Sequence, residues 1–413
     1  MSTIRPFKAF RPKPEFAGEV AAKPYDVLNS DEAREEAKGH PLSFLHVGKP
    51  EVDLDSSIDL HDPRVYERGK QNLQKLITDG MLLEDKEPYL YIYAQTMQDR
   101  TQYGLVGCAS VEEYWNDTIK KHELTRKDKE EDRCNHVRVT NSHSGPIFLT
   151  YPDNPEIDAI VGQVTSRPPE NDHVALDGIR HQSWVIKEQP VIEKIVTLFK
   201  TIRSLYIADG HHRSASAAIV GRERQQQNPH HTGAEEYNYF LAVYFPGSQL
   251  RIFDYNRVVK DLNGLSKEQF FEKLKTSFTI AEASVVVRPG AKGEFGLFLD
   301  GRWYVLTAND ALNSIQDPVE SLDVSILQRY VLDSFLGIKD PRTDKRIDFV
   351  GGMRGLHELE RRVNSGEMKL AFSMYPTSVS ELMAIADAGK IMPPKSTWFE
   401  PKLRDGLFVH FLD

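Results

Sequence analysis

An apolar run, "SLYIA" at 204–208, breaks off into Asp209-Gly210-His211-His212-Arg213, and the small residues of "SASAAIVGRE" follow at once. No other feature limits the fold as much. The run has the length of a buried strand and the Ser/Ala stretch reads as a helix start, so one glycine must carry the chain from a sheet into a helix. The first N–H groups of a helix have no internal partner and carry the positive end of its dipole, which makes such a turn an anion site. Gly210 allows close backbone approach, and Ser214 with its small neighbours keeps the first turn open. Arg213 offers a fork to phosphate oxygens, and His211 and His212 can donate to phosphate or carry a proton. Asp209 can cap the helix, hold Mg2+, or accept a proton from a hydroxyl. An Asp-Gly turn is common by itself, but this succession of Asp, two His and Arg favours a phosphate site. A metal held by both His211 and His212 is disfavoured, since adjacent helical positions point about 100° apart.

The chain has 413 residues, 40 % of them apolar and 27 % charged, which suits two or three packed subdomains with a substantial core. Its formal net charge of -9 argues against a nucleic-acid binder. Two cysteines without CxxC spacing exclude a disulfide framework or a cysteine zinc site. No apolar run approaches the ~18 residues of a membrane span, and the N-terminus lacks the apolar core of a secretory signal, so a cytoplasmic protein is expected.

Strands and helices are mixed rather than strictly alternating, so the expected class is α+β. Asn29 caps a short helix with Glu32 three residues on; "PLSFLHV" (41–47) reads as a buried strand; Asp62-Pro63 opens a longer helix. "DHVALDGIRHQSWVI" gives a strand pair turned at Asp177-Gly178, and "YNYFLAVYF" (237–245) is an apolar strand. After about residue 262 the texture changes to helix 265–278, a hairpin with Asp300-Gly301 at its tip, and a helix in "DVSILQRYVLDSFLGI". The expected organisation is a main domain over 1–261, a small α+β subdomain over 262–345, and a segment 346–413 that returns to the main domain. There is no internal repeat.

Other segments carry chemistry. "KPYDV" places Asp26 beside Tyr25, either as a turn cap or as a carboxylate near an acceptor hydroxyl. "KKHELTRKDKEEDR" reads as helical, with His122, Arg126, Glu130 and Arg133 on one face. A charge-laced helix is usually a solvated face; the alternative has His122, Glu123 and Arg126 touching phosphate or metal. "MPPKSTWFEPKLR" is stiff and polar: Lys395, Ser396 and Thr397 suit phosphate, with Lys402 adding charge nearby. It is not a P-loop, for the glycines are missing. "RPFKAFRP" reads as an N-terminal strand sealing the sheet.

"ADGHHR" together with "MPPKSTWFEPKLRDGL", "RPFKAFRP", "KPYDV" and "GPIFLTY" resembles a widespread prokaryotic family of proteins of unknown function that includes the SerK-like free serine kinases. The resemblance spans most of the chain. It implies a ParB/sulfiredoxin-like core whose strand–turn–helix unit holds nucleotide phosphates. It also implies transfer of a phosphoryl group from ATP or ADP, with Mg2+, to a small hydroxyl compound, free L-serine first. In those kinases the Asp of the motif, matched here by Asp209, works with a glutamate nearer the N-terminus, which is not assigned to a residue of this longer chain. Expected partners are nucleotide and a small acceptor, with self-association left open. A nucleotide-binding regulator without catalysis and a phosphohydrolase using the same residues are the alternatives.

Overall fold

The apolar runs on either side of the Asp-Gly-His-His-Arg motif lie in one sheet, flanking the strand Ile147–Tyr151, and that sheet sets where the motif emerges. The computed structural model describes residues 1–413 and divides into two units, residues 1–250 with 401–413, and residues 251–400.

In the first unit the strands are β1 (Leu90–Met97), β2 (Arg100–Ser110), β3 (Ile119–Lys120), β4 (Ile147–Tyr151), β5 (Asn171–Val174), β6 (Arg180–Ile186), β7 (Leu205–Asp209) and β8 (Tyr239–Pro246). They lie in the order β3-β7-β4-β8-β2-β1-β6-β5. β7 is parallel to β3 and antiparallel to β4, β4 is parallel to β8, and the other neighbours are antiparallel. The class is α+β with mixed sheets. β4 and β8 are buried almost throughout, as their unbroken apolar sequences require of strands covered on both faces. The principal helices are α1 (Pro63–Thr78), α2 (Lys127–Thr140), α3 (Pro155–Thr165), α4 (Gln189–Phe199) and α5 (His211–Gln227). Ile157 of α3, Ile192 and Ile195 of α4, and Ala215 and Ala218 of α5 pack into one core with the sheet.

Two local expectations are corrected. Residues 41–47 form no strand: a turn leads into a helical turn at Leu45–Gly48. Phe44, Leu45 and Val47 are buried in a cluster with Val20, Leu73 and Val409, and a short apolar run of this kind serves a helical turn as well as a strand. The charged stretch after Trp115 is not one helix either. Ile119 is fully buried and pairs with Leu205 at the sheet edge, so the helix starts only at Lys127. His122 and Arg126 therefore precede α2 and share no helix face with Glu130 and Arg133. The N-terminal stretch touches the main sheet through single bridges, Arg5 to Cys108 and Phe7 to Tyr89. Its strand Phe10–Pro12 pairs with Leu82–Glu84 in a separate two-stranded sheet. Arg5 is paired with Glu236, and Arg11 with Asp85 and Glu170.

The second unit is a six-stranded antiparallel sheet of β9 (Tyr255–Val259), β10 (Phe278–Ala283), β11 (Glu294–Leu299), β12 (Arg302–Ala308), β13 (Ile347–Gly351) and β14 (Leu370–Met374). Their order is β10-β12-β11-β14-β9-β13. Asp300 and Gly301, with φ of 50° and 74°, make the left-handed turn between β11 and β12. β9 pairs with β14, so residues on both sides of 262–345 belong to this sheet.

Candidate functional site

β7 ends in an irregularity: Ile207 faces Leu149 of β4, but Asp209 faces Phe148, so one residue is extra on the β7 side. Such bulges re-aim side chains at strand ends. Gly210 then takes φ +91°, a left-handed conformation that costs an L side chain about 1–2 kcal/mol. A Cβ there would also lie 3.1 Å from Arg213 Nε. Helix α5 starts at His211, and no side chain caps it.

Asp209 is held by two cations. Lys402 Nζ donates to its Oδ1 at 2.8 Å, and Arg213 Nη2 donates to Oδ2 at 3.0 Å. Its side chain is 24 % exposed, enough for a ligand to reach it. Burial pushes this carboxyl up, but Lys402 and Arg213 outweigh burial and bring it down to about 2. Arg213 also donates to the Pro146 carbonyl at 2.6 Å, so its guanidinium points back into the fold. Burial pushes it down, yet the carboxylates of Asp26, Asp209 and Asp405 carry it above its ordinary value. The Ser214 hydroxyl is turned onto the Gly210 carbonyl at 3.0 Å. With both Asp209 oxygens committed to cations, this arrangement does not fit a magnesium ligand.

The two histidines point apart, as helical geometry requires. His211 is buried with its Nε2 3.4 Å from Nε2 of His122. Burial and the neighbouring His122 push His211 well below its usual range, and burial takes His122 down to about 4. His212 is partly buried, and its Nε2 accepts from the Arg126 backbone N–H at 3.1 Å. Burial lowers its pKa and the Asp26 carboxylate opposes this. The Arg126 side chain itself pairs with Asp128. Glu123 is exposed, next to His122. Asp26 is exposed on the turn after Pro24, while Tyr25 beside it packs under Arg133 at 4.0 Å. Burial raises the Tyr25 phenol.

One residue that sequence reasoning passed over stands at the centre. Asp405, in "KLRDGL", exchanges backbone hydrogen bonds with Ala22 at 2.9 and 3.1 Å, which brings the C-terminal segment beside "KPYDV". Its carboxyl is buried against Gly145, where a Cβ would lie 2.8 Å from Oδ1, and Oδ1 has no hydrogen-bond partner. Burial raises it to about 7 despite nearby Arg213. A cavity of about 30 Å³, the size of one water, adjoins it and is lined by Tyr25, Arg133, His136, His143 and Arg213 among others.

Lys395, Ser396 and Thr397 belong to the second unit. Lys395 is exposed at φ 58°, and its carbonyl accepts from Arg257 at 3.0 Å. Ser396 is buried and donates to the Pro393 carbonyl at 2.6 Å. Pro393 and Pro394 line a cavity of about 350 Å³ together with Arg257, Lys339, Arg342 and Phe349. In the first unit, then, Lys402 and Arg213 meet on Asp209, the charges of Asp26 and Asp405 act on Arg213, and His122 and His211 meet with Glu123 nearby.

A family model described as "Protein of unknown function (DUF1015)" matches residues 4–325, and the chain belongs to this family. No curated protein matches it. Among solved structures it is similar to a conserved hypothetical protein from Pyrococcus furiosus at 15 % identity and TM-score 0.33, over 71 % of this chain and 93 % of that one. It is also similar to a free serine kinase in complex with AMP, at 15 % identity and TM-score 0.32, over 68 % and 84 %. A third is SbnI with C-terminal truncation from Staphylococcus aureus, at 13 % identity and TM-score 0.39, over 74 % and 87 %. No helix is long and apolar enough to cross a membrane.

Proposed function

We propose that this protein is a cytoplasmic, nucleotide-dependent phosphotransferase that acts on a small hydroxyl compound, with free L-serine as the first acceptor to test. The observation that carries the reading is the uncapped start of α5, which opens directly beyond the partly exposed, doubly ion-paired Asp209. Phosphate oxygens of ATP or ADP would take the N–H groups of that first turn, which no side chain caps, in the manner of a ParB/sulfiredoxin-like nucleotide site. Lys402, fixed by Asp209, supplies positive charge beside them. Phosphoryl transfer needs positioning and charge neutralisation more than covalent help. The terminal P–O bond to the nucleotide breaks as a P–O bond to the acceptor forms, and the hydroxyl proton passes to a carboxylate. Asp26 is the candidate for that proton, since Asp209 at about 2 is a weak base. His212 is placed to hold a phosphate oxygen. Magnesium in this reading arrives with the nucleotide. Lys395 with Ser396 and Thr397 is a separate candidate phosphate-holding segment, to be tested through Lys395→Ala.

Phosphorus NMR of the purified protein with Mg2+, ATP or ADP, and an amino-acid pool tests the reading. A new phosphomonoester signal from the wild type, reduced on the order of a hundredfold or more in Asp26→Asn, is expected. Free phosphate alone would make the protein a phosphohydrolase. Unchanged nucleotide that still binds would make it a nucleotide-binding regulator. Either result overturns the kinase assignment.

A further inference from the structure

His122 and His211 come from distant parts of the sequence and meet edge to face. Their ring centroids are 4.5 Å apart at 87°, and their Nε2 atoms face each other at 3.4 Å. His122 ends up there because β3 pairs with β7 at the sheet edge, so the chain leaving β3 passes the start of α5. As a hydrogen bond the contact is long, for N–H donors sit at roughly 2.7–3.2 Å from their acceptors. Nδ1 of each ring is also buried and without a hydrogen-bond partner. The Ile207 backbone also hydrogen-bonds the His122 ring, so the place left for a ligand is the gap between the two Nε2 atoms.

The spacing of the Nε2 pair suits a shared metal ion. A metal ion bound by two imidazoles at about 2.1 Å in tetrahedral geometry holds the two nitrogens about 3.4 Å apart. A third donor is at hand: ligand atoms of His122, Glu123 and His211 all lie within 4.8 Å of one another. Two nitrogens and one carboxylate are the donor set of zinc and its first-row neighbours, whereas magnesium prefers oxygens. Three protein ligands leave a coordination position for water or a substrate oxygen.

We propose that His122, Glu123 and His211 bind one divalent transition-metal ion with an open coordination position. The site stands on its own geometry and does not depend on the phosphotransferase reading.

The test is a titration of chelator-treated, nucleotide-free full-length protein with Co2+, read by visible d–d absorption and by calorimetry. One equivalent should bind, and Zn2+ should displace it. His122→Gln and Glu123→Ala should each weaken binding by at least about tenfold, with the absorption band reduced. Circular dichroism checks that His122→Gln folds; if it does not, Glu123→Ala decides, because that side chain is at the surface. The proposal is overturned if the wild type takes up no stoichiometric Co2+. It is equally overturned if the folded His122→Gln protein, or Glu123→Ala in its place, binds with unchanged affinity, which would put the ion elsewhere, for example on the His230-His231 loop. Because no nucleotide is present, failure here and failure of phosphoryl transfer are read separately.

Discussion

Two carboxylates of the first unit have opposite surroundings. Asp209 sits between Lys402 and Arg213, whereas Asp405 is buried with an oxygen that no donor reaches. Their linkage to stability has opposite sign. Asp209, down at about 2, contributes stability that is present above the unfolded carboxyl range and lost as pH falls through 2. Asp405, raised to about 7, keeps its proton in the fold while the unfolded chain has lost it, so stability falls as pH rises from about 4 to 7. Asp405→Asn should therefore be more stable than the wild type at pH 8 by roughly 2–4 kcal/mol, and the two should converge near pH 4. Urea denaturation across that range checks it; parallel curves would show that the carboxyl is not perturbed. Sequence reading singled out both Asp209 and Lys402 but could not pair residues 193 apart. Asp405 escaped it because its environment is built from Ala22 and Gly145, contacts that leave no local pattern.

At the scale of elements, the strand–glycine–helix unit was legible because an apolar run, a glycine and a string of small residues each act locally. The left-handed Gly210 is what makes it work. Gly210→Ala should lower stability by about 1–2 kcal/mol, with added crowding against Arg213. A melting temperature equal to the wild type's would show that the turn relaxes without strain. The charged stretch after Trp115 was not legible, for an opposite reason. Its period suits a helix, but Ile119 gains more by completing the sheet edge beside Leu205. That long-range pairing carries His122 off the helix and toward His211. The sequence named His122 and Glu123 as metal or phosphate candidates, yet His211 as their companion follows only from the pairing of β3 with β7.

For the molecule as a whole, buried histidines dominate the response to acid. Of fourteen, His122, His136, His143, His173, His181, His211, His212 and His410 are lowered, in each case chiefly by burial. The unfolded chain protonates these side chains near 6.5 and the fold resists, so stability is lost as pH drops below that value. Asp405 and Asp323, both raised to about 7 by burial, and His46, raised by its hydrogen bond to Asp53, run the other way but are outnumbered by the eight. Denaturation free energy should fall by at least about 3 kcal/mol between pH 7 and pH 5; a flat profile would mean that the histidines titrate normally in the fold. The order in which the chain is made adds something further. Lys402, which fixes Asp209, and Asp405, which joins Ala22, belong to residues 401–413, and the whole 150-residue second unit is translated before them. While the ribosome is still synthesising that unit, Asp209 has no lysine and Ala22 has no pairing partner. The nascent protein therefore carries an incomplete site, which cannot assemble until residues 401–413 have been made and have emerged.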